Sequence, residues 1–192
     1  MIGAIVLAAG SSRRFGGDKR KATLPNSKMV IQQSVETALS CFDAVTLALR
    51  YGDKEFSAEL SFLINNPKLN IFQAPDSALG MSHSLANAIQ RINNWEGVFV
   101  FLADMPHVEQ TTINHLKETF TANQKNNPII APTLDGQLGH PVGFAASYFN
   151  ELTALTGDKG AKHVMNVHTE KVIAVTVDDP GVLKDVDTPE DL

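Results

Sequence analysis

The sequence predicts an α/β protein: a mostly parallel sheet covered by helices on both sides, a three-layer α/β/α arrangement. Three observations predict it. Gly3–Ala8 (GAIVLA) and Gly97–Leu102 (GVFVFL) are short, unbroken apolar runs, as expected of strands buried on both faces. Segments with apolar residues at helical spacing lie between the strand candidates, so the two kinds of element alternate along the chain. A segment rich in glycine and serine follows the first strand directly, where ligands bind in open parallel sheets.

The elements follow in order. Gly3–Ala8 is the first strand. Met29–Leu39 places Val30, Ile31, Val35, Ala38 and Leu39 near helical spacing, and Ala44–Leu49 (AVTLAL) is the second strand. Lys54–Leu63 reads as a short helix running into a strand, and Asn70–Gln73 as a short strand. Ser82–Ile92 carries Leu85, Ala88, Ile89 and Ile92 on one helical stripe. Gly97–Leu102 is the clearest central strand, followed by a helix over Gln110–Asn123 and a strand at Pro128–Ala131. Pro141–Ala146 is a further strand candidate, Tyr148–Thr153 and Lys162–His168 are helical, and Lys171–Val177 (KVIAVTV) is the last strand. Repeats, heptads and linkers are missing, so residues 1–192 are expected to form a single domain.

Composition narrows the function. The chain has 192 residues, 43% hydrophobic and 19% charged, an ordinary globular balance. A net charge of −5 argues against a general nucleic-acid binder. The single cysteine, Cys41, excludes an internal disulfide and a thiol pair for zinc, which suits a reducing, cytoplasmic setting. Ile2–Ala9 lacks the basic flank and length of a signal sequence, and no apolar run approaches the roughly 20 residues of a membrane span. The chain stops at Leu192 where a final helix should begin, so a short further element is expected there.

Positive charge is unevenly placed. Arg13, Arg14, Lys19, Arg20 and Lys21 fall within nine residues, with only Asp18 opposing them. Such a cluster is either a solvated basic loop or an anion site, and its position after a buried strand and Gly10 favours the second. Glycines let backbone N–H groups approach phosphate oxygens, and Ser11 and Ser12 add donors. The segment is neither a Walker A loop nor a GxGxxG fingerprint.

Carboxylates stand at two further places. Asp104 ends an apolar strand abruptly, either capping a turn or lying at the carboxyl edge of the sheet to bind Mg²⁺. Asp185 and Asp187 flank Val186 on one side of an extended segment, though Asp187 with Pro189 also makes a good helix start. Asp178 and Asp179 read as a surface turn. Gly80, Ser82 and Ser84 open a helix whose free N–H groups suit a ligand, the alternative being capping by Ser82. His140 is either a turn residue or part of a pocket. Asp76 and Asn87 carry no assignment, and His83 reads as exposed.

The full wording LAAGSSRRFGGDK resembles the opening signature LAAGxSxRxGxxK of the molybdenum cofactor nucleotidyltransferase family. Leu7, Ala8, Ala9, Gly10, Ser12, Arg14, Gly16 and Lys19 occupy its fixed places. GMSHSL at 80–85, ADMP at 103–106, GHP at 139–141, TGDKGAK at 156–162 and DDPGVLKDVDTPEDL at 178–192 also have counterparts, in the same order. The resemblance implies a Rossmann-like fold of the nucleotide-diphospho-sugar transferase type. It implies nucleotide binding by Leu7, Ala8, Ala9, Gly10, Ser12, Arg14, Lys19, Gly80, Ser82 and Ser84, and catalysis by Lys19, Arg14 and Asp104. Asp104 and Asp187 would hold Mg²⁺, with His140 and Lys159 on the acceptor.

Ala9, where the guanylyl branch has glycine, implies transfer of CMP from CTP to molybdenum-loaded molybdopterin, and a transient contact with a molybdenum hydroxylase. Guanylyl transfer, or transfer to another phosphorylated metabolite, is the nearest alternative. A non-catalytic pterin carrier is the alternative of another class. One departure is Lys19–Arg20–Lys21 where the family is apolar after its lysine: counting from Gly16 selects Lys19, counting back from Pro25 selects Lys21.

Overall fold

The structure is a computed structural model that describes residues 1–10, 15–60, 63 and 65–192. Its first half is parallel. β1 (Ile2–Ala8) lies between β2 (Val45–Arg50) and β4 (Gly97–Leu102), and β3 (Leu69–Ala74) extends the sheet beyond β2. β1 and β4 are apolar throughout because both faces of the sheet are covered, and Ala4, Ile5, Val6, Val98 and Phe99 are fully buried. Removing such side chains from water contributes about 1.5–3 kcal/mol each for the larger ones.

The second half turns antiparallel. β7 (Val142–Ala145) pairs antiparallel with β4, and β5 (Ile129–Leu134) pairs antiparallel with β7. A two-residue β6 (Gln137–Leu138) folds back on β5, and β8 (Val172–Thr176) joins β5 in parallel. The order is β3-β2-β1-β4-β7-β5-β6 with β8 beside β5: mixed, mostly parallel, and of the expected type.

α1 (Val30–Cys41) and α4 (Gln110–Asn123) pack together on one side of the sheet. α3 (Met81–Ile89) lies across β1, β2 and β3 and packs on α5 (Phe149–Thr153) on the other. Short helices α2 (Lys54–Glu59) and α6 (Lys162–Val167) complete the described set. Among the described residues no helix is long and apolar enough to cross a membrane.

Most expected elements are present, with boundaries moved by up to three residues. The strand expected at the end of Lys54–Leu63 has no counterpart among the described residues: the helix ends at Glu59, and the chain turns at Asn66 before β3 begins at Leu69. The Asn66 side chain accepts from Lys68 N and its carbonyl from Leu69 N, a local closure just before β3. β6 left no signal in the sequence, being two exposed residues held by one turn of hairpin.

The parallel strands β1, β2, β3 and β4 end on the same edge, at Ala8, Arg50, Ala74 and Leu102. That edge gathers the residues singled out in the sequence.

Candidate active site

Asp104 lies two residues beyond β4. Ala103 N donates to the Leu7 carbonyl at 3.0 Å, continuing the β1–β4 pairing, and Ser34 Oγ on α1 donates to the Ala103 carbonyl at 2.9 Å. These bonds fix the backbone just before the carboxylate.

The last segment of the chain reaches the same place by a pinned route. Asp179, read from sequence as part of a surface turn, is only 3% exposed. Its carboxylate accepts from Gly181 N at 2.8 Å and from Glu109 N at 2.9 Å, so it ties the segment to the start of α4. A side chain at Gly181 would overlap the His107 carbonyl, which makes glycine necessary for this crossing. Local residue pattern carries no sign of the burial because both partners are backbone N–H groups. Beyond it, Val186 N donates to the Asp104 carbonyl at 2.8 Å and brings Asp185 and Asp187 beside Asp104.

Asp187 is not the helix cap that the sequence allowed. The cap of the final 3₁₀ turn, Pro189–Asp191, is Thr188, closed in a capping box with Asp191. Asp187 N donates to Asp191 Oδ2, while the Asp187 carboxylate turns to Lys19. One oxygen each of Asp104, Asp185 and Asp187 lies within 4.8 Å of the others. Asp185 was noted in sequence only as a neighbour of Asp187. Its pKa is raised, first by burial of the carboxyl and then by the charge of Asp187.

Lys19 joins this group. Its Nζ is 2.6 Å from Asp104 Oδ2 and 3.1 Å from Asp187 Oδ1. Burial pushes the ammonium pKa down, but hydrogen bonds and charge from Asp104 and Asp187 outweigh it and the net shift is upward. Lys21 points elsewhere, to Glu59 Oε1 at 2.6 Å and over the Phe56 ring. The geometry brings Lys19, and not Lys21, to the carboxylates.

The basic cluster as a whole differs from its appearance in sequence. Only Asp18 opposes it locally, yet Arg20 pairs with Asp18 and Asp53, Lys21 with Glu59, and Lys19 with Asp104 and Asp187. Partners distant in the chain neutralise charge that looked free. Ser12 and Arg14 fall outside the described residues. Leu7 and Ala8 are buried at the end of β1, with Ala9 and Gly10 directly after it.

Gly80, Ser82 and Ser84 begin α3, but Gly80 is the cap and Ser82 is not. Ser82 N donates to the Gly157 carbonyl at 3.0 Å and Ser82 Oγ to the Gly160 carbonyl at 3.5 Å. Ser84 Oγ donates to the Gly80 carbonyl at 3.4 Å. Both serines are buried, so these hydroxyls hold protein together. Gly80 has φ of +121°, and a side chain there would overlap Asp158 Oδ1 and the Gly157 carbonyl. α3 is thereby seated directly on the 157–160 loop, which carries Lys159. Asp76 and Asn87, unassigned in sequence, bond reciprocally between the turn before α3 and the helix.

A cavity of about 750 Å³ is lined by Leu102, two residues before Asp104, and by His140, which feels the charge of Asp104. Leu7, Leu102, Val142 and Phe144 give it apolar walls, and His140, Lys159 and Lys162 contribute polar groups. Burial lowers the His140 pKa, with Val100 backbone and Asp104 drawing it partly back, so the ring is neutral at pH 7. Its Nδ1 is buried without a hydrogen bond, an unused polar atom on a residue that lines the cavity.

The comparisons with known proteins agree with this geometry. Residues 4–172 match the MobA-like NTP transferase domain. The chain belongs to that family. A relative from Aquifex aeolicus (strain VF5), named as a probable molybdenum cofactor guanylyltransferase, is 34% identical over 115 residues. That match covers 60% of this chain and 52% of the relative, so the chain spans about half the length of the curated relative it matches. Among solved structures, an Rv0371c homologue from Mycobacterium sp. strain JC1 superposes with a TM-score of 0.81 at 28% identity, covering 99% of this chain and 92% of that one. Rv0371c of Mycobacterium tuberculosis H37Rv gives 0.79 at 26% identity, covering 99% and 94%. The family assignment spans the opening loop and ADMP and stops at residue 172, before the last segment.

Proposed function

We propose that residues 1–192 act in the cytoplasm as one nucleotidyltransferase domain, transferring CMP from CTP to the phosphate of molybdenum-loaded molybdopterin. An acceptor phosphate oxygen attacks the α-phosphorus, the bond to the β-phosphate breaks, and pyrophosphate leaves. The observation that carries this reading is the group of Lys19 with Asp104, Asp185 and Asp187 at the carboxyl edge of the sheet. The single sheet and continuous core among the described residues support one domain.

The donor set suits a hard divalent ion: three carboxylates, with neither thiolate nor imidazole among them. Asp104 and Asp187, with Asp185 beside them, would hold Mg²⁺. When bound, Mg²⁺ would neutralise negative charge on the triphosphate oxygens. Lys19, already at the carboxylates, would turn its ammonium to the phosphates, and Arg14 would add a second cation from the loop. Leu7, Ala8, Ala9, Gly10 and Ser12 would line the nucleotide, with the start of α3, including Gly80, Ser82 and Ser84, beside it. His140 and Lys159 would meet the acceptor, the buried Nδ1 of His140 gaining a partner and Lys159 an anion.

A phosphate monoester is already ionised near neutral pH, so the acceptor needs no general base. Catalysis then rests on positioning and charge neutralisation, each worth several kcal/mol in such reactions. The product would pass to a molybdenum hydroxylase in a transient contact.

Choice of CTP rests on Ala9. Guanylyl transfer is the second reading, favoured by the name of the A. aeolicus relative. A pterin carrier would have no use for a lysine held by metal-type acids. The test is pyrophosphate release from each of four nucleoside triphosphates with Mg²⁺ and molybdenum-loaded molybdopterin. Release with CTP alone supports the reading; release with GTP alone replaces the base and keeps the chemistry; release with none overturns it.

A further inference from the structure

Arg20 is the most heavily engaged side chain beside the site, and the reaction proposed above gives it no task. It is 4% exposed. Its Nε donates to Asp18 Oδ1 at 2.8 Å and its Nη2 to Asp18 Oδ2 at 2.6 Å, a two-pronged fork on one carboxylate. Nη1 donates to the Ala8 carbonyl at 2.9 Å and to Asp53 Oδ2 at 2.5 Å. The guanidinium carbon lies 4.3 Å from the centre of the Phe56 ring.

These partners lie on three sides of the nucleotide end of the site. Ala8 is the last residue of β1, where the glycine-rich segment departs. Asp18 is where that segment arrives at the 3₁₀ turn Lys19–Lys21, whose start it caps by accepting from Arg20 N. Asp53 follows β2 and also accepts from Arg50 N at 3.1 Å. A single side chain thus ties the departure point of the loop to its arrival point, and both to the neighbouring strand end. Lys19 precedes Arg20 in a turn of about three residues, so their side chains leave it roughly 120° apart. With Arg20 fixed inward on Ala8 and Asp53, Lys19 is directed to Asp104 and Asp187.

We propose that Arg20 is a positioning residue: it ties the end of β1 to the start of the 3₁₀ turn and to Asp53, and so aims Lys19 at the phosphate end of the site. This rests on the nucleotidyltransferase reading for its effect on turnover, but the aiming of Lys19 can be measured without turnover. Lysine cannot replace Arg20, because one ammonium cannot supply a planar fork to Asp18 together with a third donor to Ala8 and Asp53.

The test compares the wild-type protein with Arg20→Lys and Asp53→Asn, the second removing one anchor while keeping Arg20. Amines are acylated with limiting acetic anhydride and the rate at Lys19 is read by mass spectrometry relative to exposed Lys171. The proposal expects Lys19 labelling to rise at least about tenfold in Arg20→Lys and by a smaller factor in Asp53→Asn, with the melting temperature of Asp53→Asn held within a few degrees. It expects KM for the nucleoside triphosphate to rise at least about tenfold, with a smaller change in KM for the acceptor. Wild-type labelling and wild-type KM in a folded Arg20→Lys protein would overturn it. If Arg20→Lys does not fold, unchanged Lys19 labelling in Asp53→Asn overturns it instead. If the wild-type protein releases no pyrophosphate with any nucleotide, the reaction is wrong, and the labelling alone still decides whether Arg20 aims Lys19.

Discussion

Lys19 Nζ lies 2.6 Å from Asp104 Oδ2, joining the segment after the first strand to the residue just beyond the fourth. The lysine side chain is 12% exposed, so this pair is shielded from most of the solvent screening that weakens surface pairs. It links the 3₁₀ turn after the glycine-rich segment to the carboxylates beyond β4.

Replacing Asp104 with alanine is expected to lower pyrophosphate release by at least about 10²–10³-fold, the range seen when a preorganised charge-stabilising group is removed. The melting temperature should move only a few degrees, because the side chain is partly solvated and Asp187 still holds Lys19. Turnover assays and thermal melts on one preparation check both. Unchanged turnover would remove Asp104 from the chemistry.

Lys19→Ala and Lys21→Ala should separate cleanly. The first is expected to reduce turnover by about 100-fold or more. The second breaks an ion pair with Glu59 whose side chains are 42% and 47% exposed, of a kind worth about 0–1 kcal/mol, and should leave turnover within about twofold. Steady-state kinetics on the two variants is sufficient.

Gly80→Ala is expected to destabilise the protein by about 1–3 kcal/mol, since alanine is strained at φ +121° and its methyl meets the 157–160 loop. If that loop carries an acceptor contact through Lys159, KM for the acceptor should rise more than KM for the nucleotide. Denaturant titration gives the first quantity and kinetics the second. An equal rise in both constants would dissociate the loop from the acceptor.

Acid stability should depend on Asp18. Burial raises its pKa, but the bonds from Arg20 and the charges of Arg20 and Arg50 outweigh that, so the folded value lies below the ordinary 3.8. The contribution to stability is then fully present above the unfolded value and drains away as the pH falls through the folded one. Asp18→Asn should flatten the pH dependence of stability below about pH 4 and lower stability at pH 7. Melting curves from pH 7 to pH 2.5 would show it; parallel curves for the two proteins would contradict it.

The parallel half of the fold was legible because strands buried on both faces must be apolar throughout, as Gly97–Leu102 is. β6 was not, since Gln137 and Leu138 are exposed and carry no period. At the site, Asp104 and Lys19 could be selected from local wording. The burial of Asp179 and of Arg20 could not, because each also depends on partners beyond its local segment: Glu109 N for Asp179, and Ala8 O and Asp53 for Arg20. Charge counted along the chain treats Arg13 to Lys21 as a free basic patch, and only tertiary structure supplies the acids that neutralise most of it.

The bond from Lys19 to Asp187 closes a circuit of 168 residues, and the approach of Asp187 depends on a terminal segment pinned mainly by Asp179 and Val186. That approach rests on a few bonds, whereas β1, β2 and β4 are joined by full ladders, and parts held by fewer bonds open first. As denaturant rises, Asp187 should depart while β1, β2 and β4 are still paired. Catalytic competence would fade at a lower concentration than the far-ultraviolet signal of the sheet, making enzyme activity the earliest reporter of damage to this molecule.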